Sequence, residues 1–331
     1  MRKITFAFLL FYTFSYGGDL FYQFGRGLNI DNHLWLGSYI SINYWKKGSE
    51  NEIKFDDIAL LSKIFFGKFS LFSEFEANNI YVSSSSRKNK YWDIEFEIER
   101  IFLSYHYNDF FNIKIGRFLT PLGIWNKIHI DALKWTVSDP LVSTAFFPMF
   151  TTGININGYF STKENIKYEF FIQKNKSINS SYNNLKTEDI IGFQVEKLFD
   201  INKKIGINGG IFEEKKAQEE YKFLGLYGKT KIKSFFFSSE VYYANEKSKK
   251  KVKHKEYGKI TYYLQLVKRI FNKTYFIFRK DGLYDTSDKH HVDIWTFTLN
   301  FRPRFNISFK VEYQLYERKD DYIRSSFAVL F

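Results

Sequence analysis

The 331-residue chain contains no cysteine. This absence excludes disulfide scaffolds, cysteine-based metal sites and cysteine nucleophiles, and it suits a protein that passes through an oxidising compartment. Proline is scarce as well, with four residues in the whole chain. The longest apolar run, residues 4–14, is shorter than the about 20 residues that a membrane-spanning helix needs. The chain is therefore not expected to cross a membrane as a helix.

The N-terminus has the three parts of a secretory signal peptide. Arg2 and Lys3 form a basic region, residues 4–14 form an apolar region, and Ser15 and Gly17 supply the small residues of a cleavage site. We therefore predict cleavage after Gly17, which leaves residues 18–331 as the single domain of an exported protein. The alternative is a buried N-terminal helix.

Aromatic residues make up 21% of the chain, yet its mean hydropathy is −0.34. A chain so rich in Phe and Tyr is hydrophilic overall only if polar residues are interleaved with apolar ones. Alternation with a period of two residues is the pattern of β-strands. The stretch 305–317 shows it, because Phe309 and Val311 alternate with Lys310 and Glu312.

Repeated alternation of this kind predicts about 16 strands, and residues 19–30 leave room for a further piece. The predicted strands are 34–45, 53–66, 69–80, 91–107, 111–118, 152–160, 166–175, 188–198, 204–213, 221–232, 234–246, 256–270, 274–280, 292–302, 305–317 and 322–331.

The connections between the predicted strands alternate in length. One set is short, as at 67–68 and 302–304, and the other is longer and more polar, as at 46–52, 83–90 and 246–256. Short turns on one rim and long loops on the other are typical of outer-membrane barrels. We therefore predict an all-β fold, a transmembrane antiparallel up-and-down β-barrel with both chain ends at the short-turn rim. A soluble β-sandwich is the alternative, but the chain has no layer that would cover so many apolar strand faces.

Two features resemble known membrane barrels. The segments GRFLTPLGIWN (116–126) and WTVSDPLV (135–142) resemble porin-like barrels related to the phosphate-selective porin O and P group. The last strand carries apolar residues at Phe327, Val329 and Phe331, and it resembles the C-terminal signature of outer-membrane barrels. The second resemblance implies that the barrel assembly machinery recognises the strand that ends at Phe331.

The first resemblance implies a pore of about 16 strands, often trimeric, in which a long loop after the fifth strand folds into the lumen. Residues 119–151, the longest connection, follow the fifth predicted strand. The loop departs from the group in its basic residues, which are only Lys127 and Lys134. Asp131 and Asp139 would then be the carboxylates of a constriction, and an exposed surface loop is the alternative.

If Phe331 faces lipid, the residues of opposite parity face the lumen. A Lys or Arg on the lipid side at mid-membrane would cost about 2–4 kcal/mol, so the strand positions that carry charge are the ones that face water. Glutamates on two neighbouring strands form an acidic wall, and we expect Lys63 to compensate part of it. The predicted pore-lining residues are Glu74, Glu76, Glu95, Glu97, Glu99, Lys114, Asp131, Asp139, Lys167, Lys259, Arg302, Lys310, Glu312 and Arg324.

The apolar alternation changes parity after Glu99, which predicts a β-bulge near Glu99–Arg100. The acidic wall itself admits three interpretations. It could give a diffusion pore a weak charge preference, it could only keep the lumen wet, or it could bind a divalent cation weakly, since hard cations take clustered carboxylates.

No catalytic motif is present in the sequence. None of the six histidines lies in a nucleophile motif such as GxSxG, so we predict neither an enzyme nor a cofactor. His290 and His291 lie beside Asp288 and Asp293 and could hold a metal only weakly. The lysine-rich stretch 246–256 is expected to contact anionic lipid headgroups rather than nucleic acid.

The sequence therefore predicts a porin in the outer membrane of a Gram-negative-type bacterium. It would be a water-filled channel for passive diffusion of small hydrophilic solutes or ions. The expected partners are membrane lipids and lipopolysaccharide, the barrel assembly machinery, the solutes and a homotrimer, with no nucleic acid. The alternative is a non-conducting structural or adhesive barrel with a plugged lumen.

Overall fold

A computed structural model describes residues 20–85, 94–179, 183–214, 218–248, 256–286, 290–317 and 320–331. The predicted signal peptide, residues 1–17, and most of the lysine-rich stretch 246–256 lie outside the described residues.

The described strands are β1 (Leu20–Gln23), β2 (Gly27–Ile30), β3 (Leu34–Lys47), β4 (Glu50–Phe66), β5 (Phe69–Asn78), β6 (Tyr81–Ser84), β7 (Glu95–Asn108), β8 (Phe111–Leu119), β9 (Phe150–Ser161), β10 (Ile166–Gln173), β11 (Asp189–Asp200), β12 (Lys203–Glu214), β13 (Glu219–Ile232), β14 (Phe235–Ser248), β15 (Glu256–Phe271), β16 (Thr274–Asp285), β17 (His290–Arg304), β18 (Ile307–Tyr316) and β19 (Tyr322–Leu330). A 3₁₀ turn (Trp125–Lys127) and a short helix, α1 (Leu141–Thr144), lie between β8 and β9.

Consecutive strands from β3 onward pair antiparallel, and β19 pairs back with β3, so the sheet closes into a barrel. β5 and β6 both pair with β4 and occupy one position in the wall, while β1 and β2 form an extra hairpin beside the start of β3. The wall therefore has the predicted 16 strands, and each predicted strand corresponds to one of them. Among the described residues, no helix is long and apolar enough to cross a membrane.

Burial along the strands is the reverse of that in a soluble protein. On β18, Val311 is 59% exposed, whereas Lys310 and Glu312 are each 1% exposed. Large apolar side chains of the same parity are exposed on the other wall strands as well, for example Leu264 and Leu299. A soluble protein does not expose a contiguous apolar surface of this extent, so the sandwich alternative fails. We call the two sides of the wall the apolar face and the polar face.

The connection lengths follow the predicted alternation at most positions, and one predicted loop departs from it clearly. One rim, the short-turn rim, carries tight connections such as 67–68, 201–202 and 272–273, while the opposite rim, the long-connection rim, carries 120–149 and 174–188. The exception is the predicted loop 46–52. It is only a two-residue turn, because β3 and β4 extend until Lys47 pairs with Glu50.

A bulge lies where the change of parity predicts it. Glu74 of β5 pairs with Arg100, and the next residue, Phe75, pairs with Ile98, so Glu99 is an extra residue on β7. This insertion keeps Glu99 and Arg100 on the polar face while Ile98 and Ile101 remain on the apolar face. The predicted bulge is confirmed.

The last strand departs from the prediction at one position. Val329 was expected to face lipid, but it is only 6% exposed, in contrast to Ile323 at 45%. The β1–β2 hairpin lies at this end of the strand, where the ring of Phe24 is 5.8 Å from that of Phe331. The N-terminal hairpin therefore contacts the end of the last strand, which the period-two pattern does not indicate.

Candidate functional site

Segment 120–149, between β8 and β9, is held through its backbone by side chains of the polar face. Oε1 of Glu240 on β14 accepts the N–H groups of Ile124 at 3.0 Å and Trp125 at 2.8 Å. Glu312 on β18 accepts the N–H groups of Val137 at 2.8 Å and Ser138 at 3.1 Å. A chain without regular secondary structure must satisfy its buried backbone groups through such partners.

Cationic side chains of the polar face hold the carbonyl groups of the same segment. Lys310 donates to the carbonyl of Asp131 at 2.8 Å, and Arg302 donates to that of Lys134 at 2.7 Å. Arg279, which is fully buried, donates to the carbonyl of Ser138 at 2.8 Å. Arg302, Lys310 and Glu312, which were predicted to line the pore, hold the backbone of this segment.

Apolar packing fixes the two ends of the segment. Leu122, Trp125, Phe146 and Phe147 form one buried cluster with aromatic residues of β10 and β12–β15, among them Tyr242. This packing requires glycine at position 123. Gly123 has φ +66°, and a Cβ there would lie 1.8 Å from Oε2 of Glu240. The second Gly of GRFLTPLGIWN, Gly123, is therefore a steric requirement.

His129 ties the segment to the acidic wall. Its Nε2 lies 3.0 Å from Oε1 of Glu74 and 3.0 Å from Oε2 of Glu99, and Arg100 pairs with the other oxygen of Glu74. Burial and the Arg100 guanidinium lower the pKa of His129, but the carboxylates of Glu99 and Glu74 outweigh them and raise it above its ordinary value. The predicted compensator was wrong: within the described residues Lys63 forms no ion pair with these carboxylates, and its ammonium lies over the ring of Phe65.

The predicted constriction carboxylates are bridged by a lysine of their own segment. Nζ of Lys134 lies 3.1 Å from Asp131 and 3.0 Å from Asp139. Burial lowers the pKa of Lys134, but Asp139 and Asp131 together raise it above its ordinary value, so the ammonium form is favoured. Trp125 also donates its indole N–H to Asp139 at 3.0 Å. The two aspartates therefore share one counter-charge at this point.

Two cavities meet at this segment. The larger, about 430 Å³, is lined by carboxylates of the wall and of the segment, including Asp56, Asp57 and Glu95. The smaller, about 170 Å³, is lined mainly by aromatic and apolar residues, and its charged members are Lys134 and Lys229. Trp125, Ile128 and Lys134 line both cavities, so they mark the boundary between them.

The other predicted pore-lining residues lie on the polar face in varied settings. Glu95 is exposed, Glu97 accepts a hydrogen bond from Asn179, and the hydroxyl of Tyr39 donates to Glu76 at 3.2 Å. The remaining cations are half-buried, and their nearest partners differ. Lys114 and Lys167 lie over the rings of Phe102 and Tyr159, Lys259 is ion-paired with Glu246 and Asp285, and Arg324 donates to Gln314.

Sequence reasoning missed several polar-face residues. Arg279 and Asp281 form a buried ion pair at 2.8 Å, and Asp281 lay beyond the predicted end of its strand at residue 280. The adjacent acids Asp56 and Asp57 break the alternation and so gave no parity signal. Glu240 lies within a predicted strand on the polar parity, and extending the parity count to that strand would have found it.

Among the residues that the structure describes, two groups have side chains of metal-ligand type. Glu74, Glu99 and His129 come together on the polar face, but there they are paired with one another and with Arg100. At the long-connection rim, His291 lies 3.2 Å from Asp293 and 3.8 Å from Glu317, while Asp288 is outside the described residues. In both groups the imidazole lies directly against carboxylates.

No protein-family model and no curated protein matches this sequence. Solved structures match its fold. The outer-membrane channel DcaP of Acinetobacter baumannii has a TM-score of 0.66 at 8% identity, with 92% of this chain and 100% of that chain covered. For OmpF of Salmonella typhi, in complex with daunomycin, the TM-score is 0.65 at 11% identity, with 95% and 100% covered. For the trimer form of OmpT, an outer-membrane protein of Vibrio cholerae, it is 0.65 at 8% identity, with 90% and 99% covered.

Proposed function

We propose that the chain is a porin of a Gram-negative outer membrane, through which small hydrophilic solutes and ions diffuse passively. The carrying observation is the inverted wall, in which apolar side chains are exposed and charged side chains lie on the opposite face of a closed barrel. A closed barrel satisfies every backbone group within lipid, and its apolar face can contact acyl chains directly. The cavities of about 430 and 170 Å³ beside segment 120–149 support a water-filled path.

In this proposal segment 120–149 lies within the lumen and sets its width. Its anchors come from strands around much of the wall, from Glu74 on β5 to Glu312 on β18. The acidic cavity on one side of it favours cations at that entrance. The resemblance to the phosphate-selective group stays a prediction, and the acid-rich cavity argues against a preference for phosphate.

Single-channel recording in planar bilayers tests the proposal. Purified, folded protein is expected to give discrete conductance steps, and folded protein that inserts without steps would contradict it. Reversal potentials in a salt gradient then report the charge preference. Changing Glu95 and Glu97 to Gln is expected to shift the preference toward anions, because both carboxylates lie on the polar face near the larger cavity.

A plugged, non-conducting barrel is the second candidate. The observation that favours it is the extent of burial, since Trp125, Phe147 and Tyr242 fill the space between the segment and the wall. A variant that loosens the segment separates the two candidates. A plugged barrel would conduct only after loosening, whereas a porin conducts before and after.

The proposal treats the protein as a channel and not as an enzyme. Among the described residues, His129 is held between two carboxylates and His106 contacts Asn112, so neither is paired with a nucleophilic hydroxyl. Lipids, lipopolysaccharide and the barrel assembly machinery are its expected partners. We also propose a homotrimer, which light scattering of the detergent-solubilised protein would test.

A further inference from the structure

Charges on the polar face are sorted along the barrel axis. Residue register places the two signs in different halves of the wall, because each strand runs from one rim to the other. The half nearer the long-connection rim contains Asp56, Asp57, Glu76, Glu95, Glu97 and Glu214. The half nearer the short-turn rim contains Lys63, Lys114, Lys167, Lys229, Lys231 and Arg302.

Most charges of the opposite sign are neutralised within their own half. In the acidic half, Lys259 pairs with Glu246 at 3.5 Å and with Asp285 at 3.2 Å. In the basic half, Glu169 pairs with Lys127 at 2.6 Å, and Glu196 pairs with Lys204 at 2.8 Å. The other cations of the acidic half also have partners: Lys54 and Arg100 each lie within 3.6 Å of a carboxylate, Arg324 contacts Gln314, and the ammonium of Lys47 lies over the ring of Tyr322. Arg279 lies near the middle of β16 and pairs with Asp281, while Glu240, nearer the short-turn end of β14, is held by backbone N–H groups and tyrosine hydroxyls. Each half therefore keeps the sign of its majority.

The two cavities repeat this division. The larger is lined by seven carboxylates, among them Asp56, Asp57 and Glu95, against Lys54, Lys134 and His129, whereas the charged lining of the smaller is Lys134 and Lys229. Because Lys134 lines both, the change of sign falls at the boundary formed with Trp125 and Ile128. The sorting is therefore present in the cavities beside segment 120–149 as well as on the wall.

We propose that the lumen is a bipolar channel that passes ionic current preferentially in one direction. This inference rests on the proposed conduction. Fixed carboxylates concentrate mobile cations in the half near the long-connection rim, and fixed ammonium groups concentrate mobile anions in the other half. When the long-connection side is positive, the field drives both carriers toward the boundary and the current is large. With the opposite sign both carriers leave the boundary, which becomes depleted of ions.

Salt concentration should control the effect. Fixed charges act on ions across a lumen only when the Debye length is comparable with its radius, and that length is about 10 Å in 0.1 M salt but about 3 Å in 1 M salt. Charges exposed to bulk solvent are screened by it, whereas ions in the lumen must pass close to the wall. Rectification is therefore expected in dilute salt and lost in concentrated salt.

The test is the current–voltage relation of single channels in about 0.1 M and about 1 M KCl. Orientation is set independently, because the chain has no cysteine and Ser49→Cys places one thiol in the exposed β3–β4 turn at the long-connection rim. An impermeant thiol reagent added to one compartment identifies the side that this rim faces. Current is expected to be larger with that side positive, and the ratio of the two currents should return to unity in concentrated salt.

Two sets of variants assign the effect to the polar face. The acidic set is Asp56→Asn, Glu95→Gln and Glu214→Gln, and the basic set is Lys63→Gln, Lys167→Gln and Lys229→Gln. Each set is expected to remove rectification and to shift ion preference in opposite directions. The matched control is Lys197→Gln, Lys203→Gln and Lys268→Gln, which removes the same charge from the apolar parity near the same short-turn rim as the basic set, and it should leave rectification intact.

Three results would overturn the inference. They are conducting channels with a linear relation in dilute salt, rectification of the opposite sign, and equal effects of the basic set and its control. Linear conduction would leave the porin proposal standing. Folded protein that inserts without any conductance step would remove both.

Discussion

Glu240 and Trp125 lie 115 residues apart in sequence, and Oε1 of Glu240 accepts the Trp125 backbone N–H at 2.8 Å. The same carboxylate accepts the hydroxyl groups of Tyr242 and Tyr263. One buried side chain on β14 thus organises the entry of segment 120–149 and the aromatic residues around it. A single carboxylate is therefore the main polar support for the first turn of the segment.

Replacing Glu240 by Ala should release the start of the segment. The variant leaves buried N–H and hydroxyl groups without an acceptor, and each such group costs about 1–3 kcal/mol. We expect faster hydrogen exchange at residues 122–128 and a lower melting temperature, while Glu240→Gln, which retains one oxygen acceptor, should lose less. Glu95→Ala is the control because Glu95 is exposed. Equal exchange in the Ala variant and the wild type would contradict the role assigned to Glu240.

Replacing Gly123 by Ala should have a larger effect than its backbone angle alone predicts. A non-glycine residue in the left-handed region costs about 1–2 kcal/mol, and here the added Cβ also meets the Glu240 carboxylate. Gly67→Ala is the matched control, since Gly67 has φ +60° and a Cβ there meets nothing within 4 Å. Thermal unfolding of the two variants separates the angle from the contact. Equal destabilisation would mean that the contact with Glu240 is unimportant.

The attachment of His129 should weaken as the pH rises. Its pKa is raised in the folded protein, so its contribution is fully present below the unfolded value of about 6.5 and is lost as pH passes through the higher folded value. Above that value, Glu74 and Glu99 face each other across a neutral imidazole. Hydrogen exchange of residues 128–130, corrected for its intrinsic pH dependence, should therefore reveal more frequent opening at alkaline pH.

Two histidine variants control that experiment. His129→Gln should remove the pH dependence of opening, because it removes the titrating group. His106→Gln should preserve the pH dependence, since His106 is exposed near the short-turn rim and contacts Asn112 rather than segment 120–149. Retention of the pH dependence in His129→Gln would assign it to another group.

Replacing Lys134 by Met should destabilise the segment and favour cations. Breaking a buried ion pair by removing one partner costs about 3–5 kcal/mol, and here both Asp131 and Asp139 lose their counter-charge. Lys127→Met is the control on the same segment, because its pair with Glu169 is more exposed and is worth at most about 1 kcal/mol. Thermal unfolding and reversal potential measure the two effects. The assignment fails if Lys127→Met matches Lys134→Met in both.

Strands were predictable where one face meets a uniform environment. On β18 the alternation of Phe309, Val311 and Tyr313 with polar residues indicates both the strand and its exposed side, because lipid contacts every outward position alike. The bulge at Glu99 was predictable for the same reason, since a change of parity is visible in the sequence. The positions at which strands end were less predictable. β16 continues past residue 280 because β15 and β17 continue beside it, and β3 extends to Lys47 because β4 does the same.

The roles of polar residues were much less predictable. Parity placed Lys310, Arg302 and Glu312 on the correct face, yet it could not show that a segment more than 150 residues away in sequence would take their hydrogen bonds. His129 gave no signal, because its partners Glu74 and Glu99 become its neighbours only when the segment meets the wall. His129 therefore contacts the acidic wall in the role that the sequence analysis assigned to Lys63.

The sequence by itself determined the barrel, its strand number, the rim that carries the long connections and the parity that carries charge. These follow from local periodicity, which each strand expresses through its own contact with lipid or water. Only the tertiary structure decided which charged side chains hold segment 120–149 and which lie along the barrel axis without contacting it. It also decided where along that axis the sign of the charge changes. Those outcomes depend on pairs such as Glu240 with Trp125 and Glu99 with His129, whose members are distant in sequence and are brought together only by closure of the barrel.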